Sequence, residues 1–273
     1  MTVEQYQKWY FKKHGLYERK ALSLLNNFVR KNLANVELSP IEYKKQLELY
    51  LPADQLKEVL KEVYISIGLL HGKRIEKGLN SGVLAVKADN PFNLSALFSE
   101  RWFNLVNSFF EDHYNRIVTI RENLIQGVTD IISKNLEEGK GIVDITKDLV
   151  KSFGRKTGLY SWQMKRIART ETNTASNMAA FESFDNSNLL IDKVWISALD
   201  ERTRESHRIL HGITKPLNEG FETFDKDGNT EILQMPSDIN GSAGNVINCR
   251  CTLAPKIRLD EFGLPVLKRN LNN

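Results

Sequence analysis

The sequence predicts a mainly α protein with a smaller α+β domain at its C-terminal end, and three observations carry that reading. From residue 2 to residue 153, apolar residues return at three- and four-residue steps with few turn signals between them. Around Gly154 to Gly158 this pattern breaks. Beyond His211, short apolar runs flank Asp227-Gly228, the dipeptide that most strongly marks a tight hairpin. The expected layout is an elongated helical arm or bundle over 1–153 and an α+β domain over 154–258, with a loosely held polar tail over 259–273. Within the second domain the order is helix, strand, helix, β-hairpin and terminal strand.

Residues 2–34 read as one helix, opened by a Thr2/Gln5 capping box and carrying Tyr6, Trp9, Leu16, Leu22, Leu25, Phe28, Val29 and Leu33 on its apolar side. Ser39-Pro40 opens a second helix, which Pro52 interrupts. Leu56, Val59, Leu60, Val63, Ile67 and Leu70 then form a stripe expected to end near His71-Gly72, with His71 as a contact to the helix dipole. Residues 78–92 read as a connection with a short extended piece at Val83 to Val86. An aromatic-rich helix follows from Leu94 to Phe110, and helical spacing continues through Leu136 until Gly139 and Gly141. A short helix covers Asp144 to Phe153, and another runs from Leu159 to about Asp185. On the latter, Ile167, Glu171, Thr174, Met178 and Phe181 share a face. Glu171 therefore needs a partner, and Arg202, Arg204 or His207 are the candidates, for a structural salt bridge before a catalytic acid.

Val194 to Ile196 alternate as a strand does and lead into Asp200, placed as the N-cap of a helix on which Asp200, Arg204, His207 and His211 recur at steps of four, three and four. Phe221 to Phe224 and Thr230 to Met235 form the hairpin arms. Its turn, Asp225 to Asn229, resembles the start of a calcium loop, but Pro236 stands where the bidentate Glu belongs, so no calcium site is expected. Residues 237–248 read as a flexible loop delivering Asn248, Cys249 and Cys251 into a strand that stops near Pro255.

The net charge of +4 lies wholly in residues 1–155, with 23 Lys+Arg against 19 Asp+Glu. It concentrates in Lys8, Lys12, Lys13, Arg19, Lys20, Arg30 and Lys31, opposed only by Glu4 and Glu18. Such a helix binds DNA or an acidic protein surface, or is simply a solvated face. No apolar run is long enough for a membrane span or a signal peptide, which points to a cytoplasm-like compartment. Two cysteines separated by one residue do not make a disulfide framework and read as free thiols or metal ligands.

His207, His211, Cys249 and Cys251 are residue types that zinc prefers, and together they make a candidate four-ligand structural site. Against it stands a thiol-lined core with His207 bonded to Asp200 or Glu171. An enzyme reading, a zinc-dependent hydrolase or nuclease centred on His207 with Cys249 and Cys251, uses the same residues. No nucleophile elbow, P-loop, dinucleotide fingerprint or HExxH is present, so no enzyme activity is expected.

The order IARTET (167–172), then WxxxxDxRTRxxHxxLxG from Trp195 to Gly212, an aromatic-rich hairpin, and NCRCxLxP from Asn248 to Pro255 resembles the Mu F-type minor head proteins of tailed bacteriophages, the head morphogenesis family. The resemblance covers about residues 145–255. Arg169, Glu171, Trp195, Asp200, Arg202, Arg204, His207, Gly212, Cys249, Arg250 and Cys251 match its pattern as a set. It implies a structural virion protein inside the capsid near the portal vertex, made in the host cytoplasm. Its implied partners are portal, scaffold and capsid proteins and phage DNA, with no small-molecule substrate. In some phages such proteins leave with the DNA, and contact with a host membrane is confined to that ejection. Some relatives carry a toxin or enzyme domain after this module, and the expectation here is that none follows Pro255.

Overall fold

The structure is a computed structural model that describes residues 2–33, 43–83, 94–154 and 161–268. Its described elements are the helices α1 (Val3–Leu33), α2 (Tyr43–Tyr50), α3 (Ala53–Val83), α4 (Leu94–Asp112), α5 (Tyr114–Glu137), α6 (Ile142–Gly154) and α7 (Ser161–Asp185). There follow β1 (Ile191–Ile196), α8 (Glu205–Ile209), β2 (Thr214–Pro216), β3 (Phe221–Phe224), β4 (Thr230–Leu233), α9 (Ala243–Val246) and β5 (Thr252–Ile257). The chain is thus mainly α, with a small α+β region at its C-terminal end.

The capping box forms as the sequence predicts: the Thr2 amide donates to Gln5 Oε1 at 3.0 Å and the Gln5 amide to Thr2 Oγ1 at 3.2 Å. Pro52 separates α2 from α3. However, α3 does not stop at His71-Gly72 but runs on to Val83. Gly72, which suggested an ending, is there for packing, and so is Gly68. A Cβ on Gly68 would stand 2.1 Å from the Trp102 ring, and one on Gly72 would stand 2.0 Å from the Phe98 ring. His71 is consequently mid-helix and fully buried, with its Nε2 3.0 Å from the Tyr6 hydroxyl rather than at a helix end. Val83, expected to be extended, is helical, and 84–86 lie outside the described residues, as does most of the 154–158 boundary.

The chain divides into two compact units, and neither follows the expected division at 153/154. One comprises Met1–Tyr17, Tyr64–Leu105 and Arg169–Asn273, the other Glu18–Val63 and Val106–Ala168. A helix of 31 residues is about 46 Å long, more than one small core occupies, so α1 and α3 each serve two cores. In the second unit Arg121 donates to the carbonyls of Leu51 and Glu48, closing the end of α2, and Lys57 reaches Glu111 and the Tyr114 ring.

The first unit is built around a sheet in the order β2-β1-β5, antiparallel throughout, with Val194 opposite Thr214 on one side and Ala254 on the other. Its apolar core joins Tyr6, Tyr10, Ile75 and Leu79 to Phe184, Trp195, Leu210, Phe221 and Leu253. The hairpin β3-β4 is closed by Asp225, which accepts from the amides of Asp227 and Asn229, both at 2.8 Å, while Gly228 takes φ +84°. Lys193, on β1, is fully buried, and its ammonium donates to the Leu217 and Gln234 carbonyls and to Gln234 Oε1 at 2.9–3.1 Å. Burial brings it down to about 8, against the pull of Asp238 and Glu219. Residues 237–248 are not a loose loop: α9 forms, and Ser237, Asp238 and Asn245 are buried and hydrogen-bonded. Nor is the tail loose as far as Lys268, since bridges pair Leu259 with Pro265 and Leu189 with Leu267.

Burial, with a smaller contribution from His14, holds the His71 imidazole at about 3 instead of its ordinary 6.5. Neutral His71 therefore contributes stability that is complete above pH 6.5 and is lost as pH falls from 6.5 towards 3, because the unfolded chain takes up a proton the folded one refuses. Chemical denaturation as a function of pH should show His71→Gln flattening the decline below pH 6.5 by up to about 1.4 kcal/mol per pH unit. Equal slopes in both proteins would contradict it.

Candidate metal centre

Two segments of the first unit meet at the site. The first follows β1. Ser197 is buried and its hydroxyl donates to the His207 carbonyl at 2.5 Å; Leu199 then takes φ +57° to start a turn. Asp200 organises that turn, accepting from the Arg202 amide at 3.0 Å and the Thr203 hydroxyl at 3.3 Å, while Arg250 grips its two oxygens with two guanidinium nitrogens. The Arg250 guanidinium holds the Asp200 carboxyl well below the usual carboxylate range. Asp200 is thus a turn residue and not a helix cap. α8 begins only at Glu205, after Arg204, and has no side-chain cap. With that start, the expected helical face of Asp200, Arg204, His207 and His211 does not exist. His211 lies beyond α8, where its Nδ1 accepts from the Ser197 amide at 3.1 Å.

The second segment is Asn248 to Leu253, and α7 holds it. Residues 170–174, 176 and 177 of α7 are all polar and all buried, an arrangement tolerated when the groups find partners, as all of them do among the described residues except Thr172 Oγ1. Thr170 Oγ1 accepts from the Asn248 amide at 3.1 Å, which supports the φ of +60° at Asn248. Asn173 accepts from the Tyr10 hydroxyl at 2.7 Å and donates to Ser237. Asn177 donates to the Cys251 carbonyl at 3.1 Å and accepts from the Leu253 amide at 2.9 Å. Its carboxamide thereby pairs with the edge of β5 that β1 leaves open.

Between these segments stand His207, Cys249 and Cys251, each no more than 2% exposed. His207 Nδ1 is 3.6 Å from Cys249 Sγ and 3.5 Å from Cys251 Sγ, and all three donor atoms lie within 4.8 Å of one another. One nitrogen and two sulfurs form a donor set that suits zinc. Burial raises the Cys249 thiol, but the bond to Cys251 and the adjacent His207 outweigh it and bring it well below its ordinary value. Cys251 is pushed well above by the bond to Cys249 and by burial. Of the four ligands read from the sequence, the structure unites three and leaves His211 out.

Other motif residues have local roles. Glu171 accepts from the Tyr64 hydroxyl at 2.8 Å. The cations expected beside it are engaged elsewhere: Arg202 with Asp200, and Arg204 with the Ile247 carbonyl, while the His207 ring faces the thiols. Arg169 reaches Asn248 Oδ1 at 3.3 Å. Trp195 packs edge-to-face on His207, with centroids 5.2 Å apart. Gly212, at φ +81°, sends its amide back to the Trp195 carbonyl. On α1, Lys8, Lys12, Arg19, Lys20, Arg30 and Lys31 are exposed and Lys13 is half-buried, while Tyr6, Tyr10, Tyr17, Leu25 and Phe28 fill the opposite side. α1 is therefore a core helix with a basic outer face, not a free arm. Ser197, Thr170, Asn173, Asn177 and Lys193 were not singled out by sequence reasoning. The signal for the α7 set was available in two asparagines spaced four apart among alanines, in the middle of a helix where asparagine is otherwise unfavourable.

The fold and site define a helical protein with a small sheet module whose buried His-Cys-Cys cluster is clamped by a polar helix. Residues 126–254, just under half of the chain, match the family model described as Phage Mu protein F like protein, and this match supports the resemblance to the Mu F-type head morphogenesis proteins. It is 28% identical over 155 residues to a protein of Enterococcus faecalis (strain ATCC 700802 / V583) named NAD(+)–arginine ADP-ribosyltransferase EFV, covering 53% of this chain and 30% of that one. It is 25% identical over 267 residues to the uncharacterized protein YqbB of Bacillus subtilis (strain 168), covering 96% of this chain and 81% of that one. The chain thus spans less than a third of the first relative and about four fifths of the second. No solved structure matches. No helix among the described residues is long and apolar enough to cross a membrane.

Replacing Asn177 with Ala strands one buried amide and one buried carbonyl, so denaturant titration should show a loss of about 2–4 kcal/mol. A loss under about 0.5 kcal/mol would mean that the clamp is not needed.

Proposed function

We propose that this phage head morphogenesis protein is a minor structural component of the virion. On this reading it sits inside the capsid beside the portal, contacts portal or scaffold through its helices, and touches packaged DNA through the outer face of α1. The match over 126–254 supports the head assignment. The observation that carries the DNA contact is the outer face itself: six exposed cations lie along one side of a helix whose other side is buried. On a helical wheel Lys8, Lys12, Arg19 and Arg30 fall on one line and Lys13, Lys20 and Lys31 on a second beside it. A helix so presented recognises phosphates without reading sequence. We further propose that the role is structural and not catalytic. The activity in the name of the Enterococcus faecalis relative is not carried over, since the shared stretch is less than a third of that protein.

Because α1 is part of the core, the test is charge reversal and not removal of residues 1–35. Lys8→Glu, Lys12→Glu, Arg19→Glu and Arg30→Glu together should leave the fold intact by circular dichroism. They should weaken duplex binding, measured by fluorescence anisotropy, and make its dependence on log salt shallower by about 0.9 for each phosphate that is no longer neutralised. Unchanged affinity and slope would remove the DNA contact. Absence of the protein from purified heads would remove the virion assignment itself.

A further inference from the structure

We infer that His207, Cys249 and Cys251 bind one zinc ion as a three-ligand centre, with water as the fourth ligand at the solvent side. Zinc bonds of about 2.3 Å to sulfur and about 2.0–2.1 Å to imidazole, set at tetrahedral angles, require about 3.5 Å between a sulfur and the nitrogen. The two distances found are 3.6 and 3.5 Å. Two edges of one face of the coordination tetrahedron already have their lengths and the two sulfurs lie within 4.8 Å of each other, although the nitrogen and the sulfurs come from segments more than 40 residues apart.

Proton counting favours an ion over a hydrogen-bonded cluster. A neutral imidazole nitrogen has one lone pair and accepts one hydrogen, so of two thiols at nearly equal distances only one can donate to Nδ1, and the other is left to the neighbouring sulfur, a weak acceptor. A metal takes Nδ1 and both sulfurs at once. The opposite ring nitrogen, Nε2, is buried with no hydrogen-bond partner among the described residues, and the imidazole packs edge-to-face with the Trp195 ring, an aromatic neighbour beside which an N–H is less costly than a bare lone pair. That tautomer leaves the Nδ1 lone pair free to bind. Binding releases the two thiol protons, and two thiolates neutralise the dication, so the buried centre carries no net charge.

The fourth position follows from what surrounds it. Among the described residues only these three form a metal-ligating group, and His211 is turned to the Ser197 amide. The remaining side opens to a small pocket lined by Arg202, Thr203, Arg204, Asn248 and Arg250, with room on the order of one water. None of these is a zinc ligand in ordinary protein sites, and the nearby carboxylate of Asp200 is held by Arg250. Water completes the coordination. The ion would join the β1–α8 segment to the segment leading into β5.

Elemental analysis of the protein purified from zinc-supplemented cells should give about one zinc per chain. X-ray absorption of the same sample should show two sulfurs near 2.3 Å with two nitrogen or oxygen ligands near 2.0–2.1 Å. Cobalt(II) added to the stripped protein should give a thiolate-to-cobalt charge-transfer band, and a chelator should lower the thermal midpoint. His207→Gln and Cys251→Ser should lose the ion and His211→Gln should keep it. If the first two variants do not fold, the measurements on the unaltered protein decide. A folded protein that binds neither zinc nor cobalt, or a metal shell lacking sulfur, would overturn the assignment. Loss of metal from a folded His211→Gln would overturn the three-ligand form of it.

Discussion

The site depends on one side chain that takes the place of a strand. β5 lies at the end of the order β2-β1-β5, and the Asn177 carboxamide bonds the carbonyl of Cys251 and the amide of Leu253, the two groups that face away from β1 on either side of Thr252. An unpaired edge at this depth would leave both groups without partners, which is costly away from water. Because the amide is delivered by a rigid helix, the pairing also fixes the position of Cys251, and with it the relation of both thiols to His207. Thr170 repeats the device two turns earlier by holding the Asn248 amide.

This explains an otherwise unfavourable helix. Seven buried polar residues in the α7 run 170–177 contribute little hydrophobic stabilisation, and their helix propensities are modest. Their partners make up the difference: Tyr10 from α1, Tyr64 from α3, Ser237 before α9, and the backbone into β5. Tyr6 extends the network by standing 3.0 Å from both His71 and Thr252. Such a network specifies one arrangement, because any slip leaves several groups unsatisfied at once.

The architecture was legible in the sequence because periodicity reports burial directly. The capping box at Thr2, the break at Pro52 and the hairpin at Asp227-Gly228 each rest on a local rule and each stands in the structure. What local rules could not supply was tertiary substitution. Gly72 looked like a helix end, yet it is an opening for the Phe98 ring, and no local pattern carries that. Asp200 looked like a cap, but Arg250, fifty residues later in the chain, made it the anchor of a turn and moved the start of α8 to Glu205. Once α8 began there, His211 could no longer share a face with His207. Three of the four proposed ligands stand together because residue type and CxC proximity sufficed to pick them, and the fourth stands apart because of that shifted start. The tail to Lys268 looked polar and loose because its bonds are made by backbone, which composition does not reveal.

The hold of α7 on β5 is tested by amide hydrogen exchange, read residue by residue, at Leu253 and Asn248 in the unaltered protein. Among the described residues both amides are bonded to α7 side chains, Asn177 and Thr170, and to no strand partner. Leu253 is expected to exchange as slowly as the β1 amides paired in the sheet centre, with Asn248 within about one order of magnitude of it. Exchange at Leu253 at the rate of an exposed loop amide would mean that α7 does not hold the edge of β5. The positioning of the two thiols would then need another cause.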